Sequence, residues 1–209
     1  VLVVQTGNGE VGYLAAFSGI LAGKNQHSYF VPPVYDLLQP QGFFKVEEEN
    51  ISAINRRIKQ LEEDKEYTSL LSELTRTHQQ AREALDIAKQ QLKEAKEKRE
   101  LRRKEAGLTT EEAGLIRESQ FQKAEYKRLE RSWKEKIAAL QVEVNNREEL
   151  IQELKVERKS RSAALQQQLF GQFRMLNYRK EVKTLCDIFS QTVHKTPPAG
   201  AGECAAPKL

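Results

Sequence analysis

Between Pro40 and Pro197 the chain contains no proline. Across most of that span, from about residue 46 to 176, apolar side chains recur at alternating steps of three and four. Proline removes a helix hydrogen bond and clashes with the turn before it, so a long proline-free run with this period is free to be continuous helix. Ile51, Ile54, Ile58 and Leu61 share one helical face. Leu71, Leu74, His78, Ala81, Leu85, Ala88, Leu92, Ala95 and Arg99 then follow the heptad steps of a coiled-coil seam. A second series runs Tyr126, Leu129, Trp133, Ile137, Leu140, Val144, Arg147, Ile151 and Leu154, and its two consecutive four-residue steps at 129, 133 and 137 make a stutter. Between the two series, Gly107 fits a helix C′ position, Thr109 with Glu112 fits a capping box, and Glu111 and Glu112 suit the first turn of the next helix.

Two heptad helices joined by so short a break are expected to fold back on each other. With the turn near residues 107–109, positions whose numbers sum to about 216 face one another in an antiparallel pair. Trp133 then meets Leu85, Val144 meets Leu71 or Leu74, Leu154 meets Leu61, and Leu165 meets Ile51. Each helix of about 60 residues would reach roughly 90 Å at 1.5 Å per residue. A seam two side chains wide encloses no substrate, so this element reads as a lever, spacer or docking surface.

The flanks differ from the centre. Residues 1–46 open with Val1 to Gln5, a turn cluster from Thr6 to Glu10, and a second apolar run from Val11 to Phe17, which together predict a β-hairpin. Gly12 inside the second run suggests a bulge or a close backbone approach. Tyr13, Phe17, Tyr29, Phe30, Phe43 and Phe44 supply aromatic material for a small core, although about 45 residues alone would be marginally stable. After Leu176, Asn177 and Tyr178 read as an interruption. Val182, Leu185, Cys186, Phe189 and Val193 read as a short amphipathic helix, and Thr196 to Gly202 as a loop. The expected fold is therefore α+β but mostly α. A small hairpin-containing base spans 1–46, an antiparallel coiled-coil hairpin spans 47–176, and a helix and Pro/Gly loop over 177–209 return to the base. The chain begins at Val1 inside an apolar run and stops at Leu209 in what looks like the start of a helix, so it reads as a segment of a longer protein.

Composition excludes several classes. Two Cys in 209 residues do not make a disulfide scaffold, and they lack zinc spacing. No apolar stretch approaches the 18 residues of a membrane span, and no signal peptide is legible, so a cytoplasmic home is expected, without membrane contact. Catalytic chemistry is scarce. His27, His78 and His194 are isolated, Cys186 lies on an apolar face, and Cys204 is a single thiol without a partner. Gly200-Ala201-Gly202 lacks the Lys-Ser/Thr of a phosphate loop. Glu47, Glu48 and Glu49 point in different directions on a helix and read as an N-terminal dipole complement rather than a metal site. No catalytic residue, metal ligand or cofactor site is assigned.

Charge is the informative property. The net charge of +4 is unevenly distributed. Residues 47–88 carry six basic and ten acidic side chains, whereas residues 89–136 carry fifteen basic and ten acidic. A basic surface attracts phosphate backbones and gains from counterion release. Coiled coils also carry mixed charge on every outward face simply as solvation and i,i+4 support, and that reading stays open. Phe121 and Tyr126 are too few to make a stacking platform for bases.

Several stretches resemble one family. They are Val11-Gly-Tyr-Leu-Ala-Ala-Phe-Ser-Gly19, Phe30-Val-Pro-Pro-Val-Tyr-Asp-Leu-Leu38, the run from Ile116 to Glu130, Arg161-Ser-Ala-Ala-Leu-Gln166, and the run from Thr196 to Leu209. Together they are similar to the amino-terminal extension of bacterial RNA pseudouridine synthases of the ribosomal large-subunit synthase A family, in its long, Bacteroides-like form. The resemblance implies a parent enzyme that isomerises uridine to pseudouridine in structured RNA, ribosomal RNA foremost, without cofactor or metal. In that family a catalytic Asp sits in a His-Arg-Leu-Asp motif. This chain has none: Lys127-Arg128-Leu129-Glu130 is the nearest string and lies in the coiled coil. The catalytic domain is expected beyond Leu209, as a partner within the same parent chain. On that footing the distal basic residues become candidate RNA contacts: Lys93, Lys96, Arg99, Arg102, Arg103, Lys104, Arg117, Lys123, Lys127 and Arg128. The alternative is a protein-interaction or homodimerisation module with no RNA role.

Overall fold

A computed structural model describes residues 1–105, 112–177 and 179–209. The turn expected at 107–109, its Gly107 and Thr109 caps, Glu111 and Tyr178 lie outside the described residues. The chain is mostly helical with a small β part. In order it contains β1 (Leu2–Gln5), β2 (Val11–Leu14), α1 (Phe43–Glu62), α2 (Lys65–Glu105), α3 (Glu112–Gln172), β3 (Arg174–Leu176), β4 (Val182–Thr184), α4 (Leu185–Ser190) and α5 (Ala205–Lys208). It divides into two compact units, one formed by Val1–Arg57 with Leu154–Leu209 and the other by Ile58–Glu153.

The second unit is the antiparallel pair of α2 with the facing part of α3. All nine expected seam residues of α3, from Tyr126 to Leu154, are buried or half-buried, and Val144 is 2% exposed. The stutter is therefore real: the four-residue steps at Leu129, Trp133 and Ile137 keep all three on the covered face. On α2 every expected seam residue is covered except His78, which is exposed, while its neighbour Thr77 is 2% exposed. The seven-residue spacing between Leu74 and Ala81 divides as three then four, through Thr77, or as four then three, through His78, and the structure takes the first.

The outgoing helix is not continuous. α1 ends at Glu62 and α2 starts at Lys65, with no glycine or proline between them. Asp64 makes the break by serving as an N-terminal cap. Its Oδ1 accepts the Glu66 N–H at 2.9 Å, and its carbonyl accepts the Thr68 N–H at 2.9 Å. Its other carboxylate oxygen, Oδ2, accepts a hydrogen bond from Arg147 Nη1 of α3 at 3.3 Å. The pairing also departs from one constant register. In this unit Arg147 pairs with Asp64 and Arg99 with Glu118 and Gln122. In the first unit Arg161 pairs with Glu47, and Arg158 reaches Asn55 at 3.4 Å. Arg161 with Glu47 sums below the 216 expected.

The first unit buries Leu169, Phe170, Phe173 and Leu185, with Val34, Tyr35, Phe43, Phe44, Met175, Cys186 and Phe189 packed around them. Phe173 is 1% exposed. The expected hairpin forms as β1 and β2 in plain antiparallel register, with Gly12 opposite Val4. No bulge occurs, and no side chain crowds Gly12. The aromatic supply is only partly used. Tyr13 and Tyr29 are 76% and 98% exposed, whereas the Tyr35 ring packs tilted against Phe43, centres 5.7 Å apart, and edge-to-face with Phe173, centres 6.3 Å apart. The region after Leu176 differs from expectation. Val182 belongs to strand β4, paired with β3, and Val193 is 94% exposed, so the helix is only Leu185–Ser190. A capping box fixes its start: the Thr184 hydroxyl accepts the Asp187 N–H at 3.2 Å, and Asp187 accepts the Thr184 N–H at 2.9 Å. The Gly-rich loop that follows lies on Phe173, and α5 is tied to the early loop by Lys208 Nζ donating to the Phe17 carbonyl at 2.8 Å.

Candidate nucleic-acid interface

The distal part of the α2–α3 pair carries the ten candidate contacts. Helix phase decides which of them face solvent. Lys93, Lys96, Arg102, Arg103, Lys104, Arg117, Lys123, Lys127 and Arg128 are exposed. Arg99 is not. It is 6% exposed, and its guanidinium donates to Gln122 Oε1 and lies 3.5 Å from Glu118 Oε1. Gln122 in turn donates to Glu118 at 3.1 Å. Arg99 is therefore a polar layer of the seam rather than a phosphate contact. A buried guanidinium is tolerated only when its donors are paired, and here α3 supplies the partners.

The exposed nine are not equivalent. Arg102 lies 3.9 Å from Glu118, Lys96 lies 3.8 Å from Glu100, and Arg128 is paired with Glu125. Lys93, Arg103, Lys104, Arg117, Lys123 and Lys127 have no ion-pair partner among the described residues. In an antiparallel pair, the residue that follows each seam position lies on one flank, and the residue that precedes it lies on the other. The two flanks differ in chemistry. On one, Lys89, Lys93 and Lys96 of α2 meet Lys123, Lys127 and Lys134 of α3, all exposed. On the other is a groove of about 380 Å³ lined by Ala88, Gln91 and Leu92 of α2 and by Phe121, Glu125 and Tyr126 of α3. Phe121 is 63% exposed there.

Lys89 and Lys134 share the lysine flank but are not among the ten candidates. The signal that finds them is the heptad phase, because each directly follows a seam residue, Ala88 or Trp133. No group of His, Cys, Asp or Glu among the described residues could hold a metal ion. Cys186 packs beside the core of the first unit, and Cys204 is exposed ahead of α5. No helix among the described residues is long and apolar enough to cross a membrane. Among the described residues, two carboxylates and one guanidinium of the first unit are shifted. Glu47 is held below the ordinary carboxylate range by hydrogen bonds from Asn50 and then Arg161, and Arg161 is raised in return by Glu47 and Glu157. Asp187 is held low by the Thr184 hydroxyl and then the Thr184 N–H. No protein-family model, characterised protein or solved structure matches the chain.

Proposed function

We propose that this chain is a non-catalytic portion of an RNA pseudouridine synthase, in which the α2–α3 pair grips structured RNA and helps to position it for the catalytic domain. The observation that carries the reading is the distal basic surface: nine of the ten candidate side chains are exposed, and six of those have no ion-pair partner among the described residues. The parent chemistry comes from the resemblance of the sequence motifs, and structured RNA, ribosomal RNA above all, is the polyanion that such an enzyme meets. A second reading, a protein-docking or dimerisation arm, is favoured by the apolar groove at Phe121.

The test is titration of the chain into a labelled fragment of large-subunit ribosomal RNA over a range of salt. The expected result is binding whose logarithm falls linearly with the logarithm of salt, with a slope equivalent to several phosphates. Absence of binding at low salt would sink the reading.

A further inference from the structure

We infer that RNA is gripped on one flank only of the α2–α3 pair, and that it is a helical segment held by its phosphate backbone. This rests on the RNA reading above. The flank formed by Lys89, Lys93, Lys96, Lys123, Lys127 and Lys134 carries six exposed lysines over residues 89–100 and 121–136 against two acids, Glu130 and Glu100, the latter 3.8 Å from Lys96. The opposite flank of the same segments carries Lys98, Arg128 and Lys136 against Glu94 and Glu125, and two of these cations are already engaged. Arg128 is paired with Glu125, and the Lys136 ammonium lies 5.5 Å from the centre of the Trp133 ring. The basic surplus of this region therefore belongs almost wholly to one flank. Lys93 and Lys96 lie one helical turn apart, as do Lys123 and Lys127 on the facing helix, so the ammonium groups form two parallel rows rather than a point cluster.

The aromatic residues decide between single-stranded and helical RNA. Single strands are held by stacking bases on exposed rings beside a basic groove. Here Phe121 and Tyr126 line the groove of the opposite flank, and Trp133 lies in the seam. The lysine flank has no ring on which a base could stack. What it offers is charge alone, which suits the backbone of a double helix, recognised by shape and phosphates.

The experiment compares three full-length chains: wild type, the lysine-flank variant K93Q/K123Q/K127Q, and the opposite-flank variant K98Q/R128Q/K136Q, which removes the same number of charges. Each is titrated against an RNA hairpin, a single strand of the same length, and polyglutamate, with circular dichroism confirming equal helicity. The expected result is that wild type prefers the hairpin. The lysine-flank variant should lose about tenfold or more in affinity, and its salt slope should flatten by about three. The opposite-flank variant should lose less than about threefold. Equal losses in both variants would overturn the flank assignment while leaving the RNA reading standing. Preference for the single strand would overturn the helical assignment. A wild-type chain that binds only polyglutamate, or nothing, would overturn both the inference and the RNA reading.

Discussion

Arg147 Nη1 of α3 lies 3.3 Å from Asp64 Oδ2, at the residue that caps the start of α2. One carboxylate thus ends one helical element, starts the next and ties both to the returning helix. The two side chains are about one-third exposed, so the ion pair itself contributes little, on the order of 0–1 kcal/mol. The cap contributes about 1 kcal/mol. Asp64→Ala should therefore lower stability by about 1–2 kcal/mol. Asp64→Asn keeps a capping oxygen and should lose less than half of that. Urea unfolding followed by far-UV circular dichroism would show it. Equal losses in the two variants would mean that the charge, rather than the cap, is what Asp64 supplies.

Gly202 has φ of +94°, and a Cβ there would lie 2.6 Å from Cγ of buried Phe173. Gly200 also has a positive φ, +77°, but has open space around its Cα. The two glycines separate backbone strain from crowding. Gly200→Ala should cost only the left-handed penalty, about 1–2 kcal/mol. Gly202→Ala adds overpacking against a ring that cannot move and should cost about 3 kcal/mol or more. Thermal unfolding of the pair measures the difference, and Gly202→Ala with Phe173→Leu should recover part of it.

Arg99 distinguishes a seam residue from an RNA contact. Arg99→Met keeps the length and apolar stem of the side chain while removing a buried charge, a change that is often neutral in a packed seam. It should leave RNA affinity within about twofold of wild type and its salt slope unchanged, since no phosphate contact is lost. Arg99→Ala should instead destabilise the pair by about 1–2 kcal/mol, through lost packing and unmet partners at Gln122 and Glu118. A salt slope reduced by Arg99→Met would restore Arg99 to the RNA surface.

Acid should weaken the first unit through two carboxylates. Glu47 is lowered by Asn50 and then Arg161, and Asp187 by the Thr184 hydroxyl and then the Thr184 N–H. A carboxylate whose pKa is lower folded than unfolded contributes stability above its unfolded value. That contribution is lost as pH falls through the folded value. The melting temperature should be flat from neutral pH down to about 5 and decline below about 4. Glu47→Gln and Asp187→Asn should each flatten that decline and change little at neutral pH beyond a constant offset. An acid limb identical to wild type in both variants would mean that other groups govern it.

Much of the helical core was legible because heptad spacing is a long-range pattern with many repeats. Every seam residue expected on α3 is covered, including Trp133 at the stutter. His78 is exposed and Thr77 covered because the spacing between Leu74 and Ala81 accepts either residue as the seam position, an ambiguity of one residue that periodicity does not resolve. The break at Asp64 leaves no mark in the periodicity because it is made by one capping carboxylate without glycine or proline. Strands β3 and β4 are only three residues each, too short for an alternation to register, and the Thr184–Asp187 capping box was the local signal that the helix starts at Leu185. At the candidate site, a count of charge includes Arg99, which the structure buries, and does not separate the two flanks, because count ignores phase. Seam phase ranks above charge in deciding which cation can meet a partner.

If the lysine flank serves RNA, one chain closes its own seam and offers that flank to RNA rather than to a second copy. Sedimentation equilibrium over a wide concentration range, with and without the RNA hairpin, tests that most directly. The prediction is the 24.0 kDa mass of a single chain at every concentration, and that mass plus one RNA when the hairpin is present. A concentration-dependent rise to twice the chain mass, unchanged by added RNA, would contradict it.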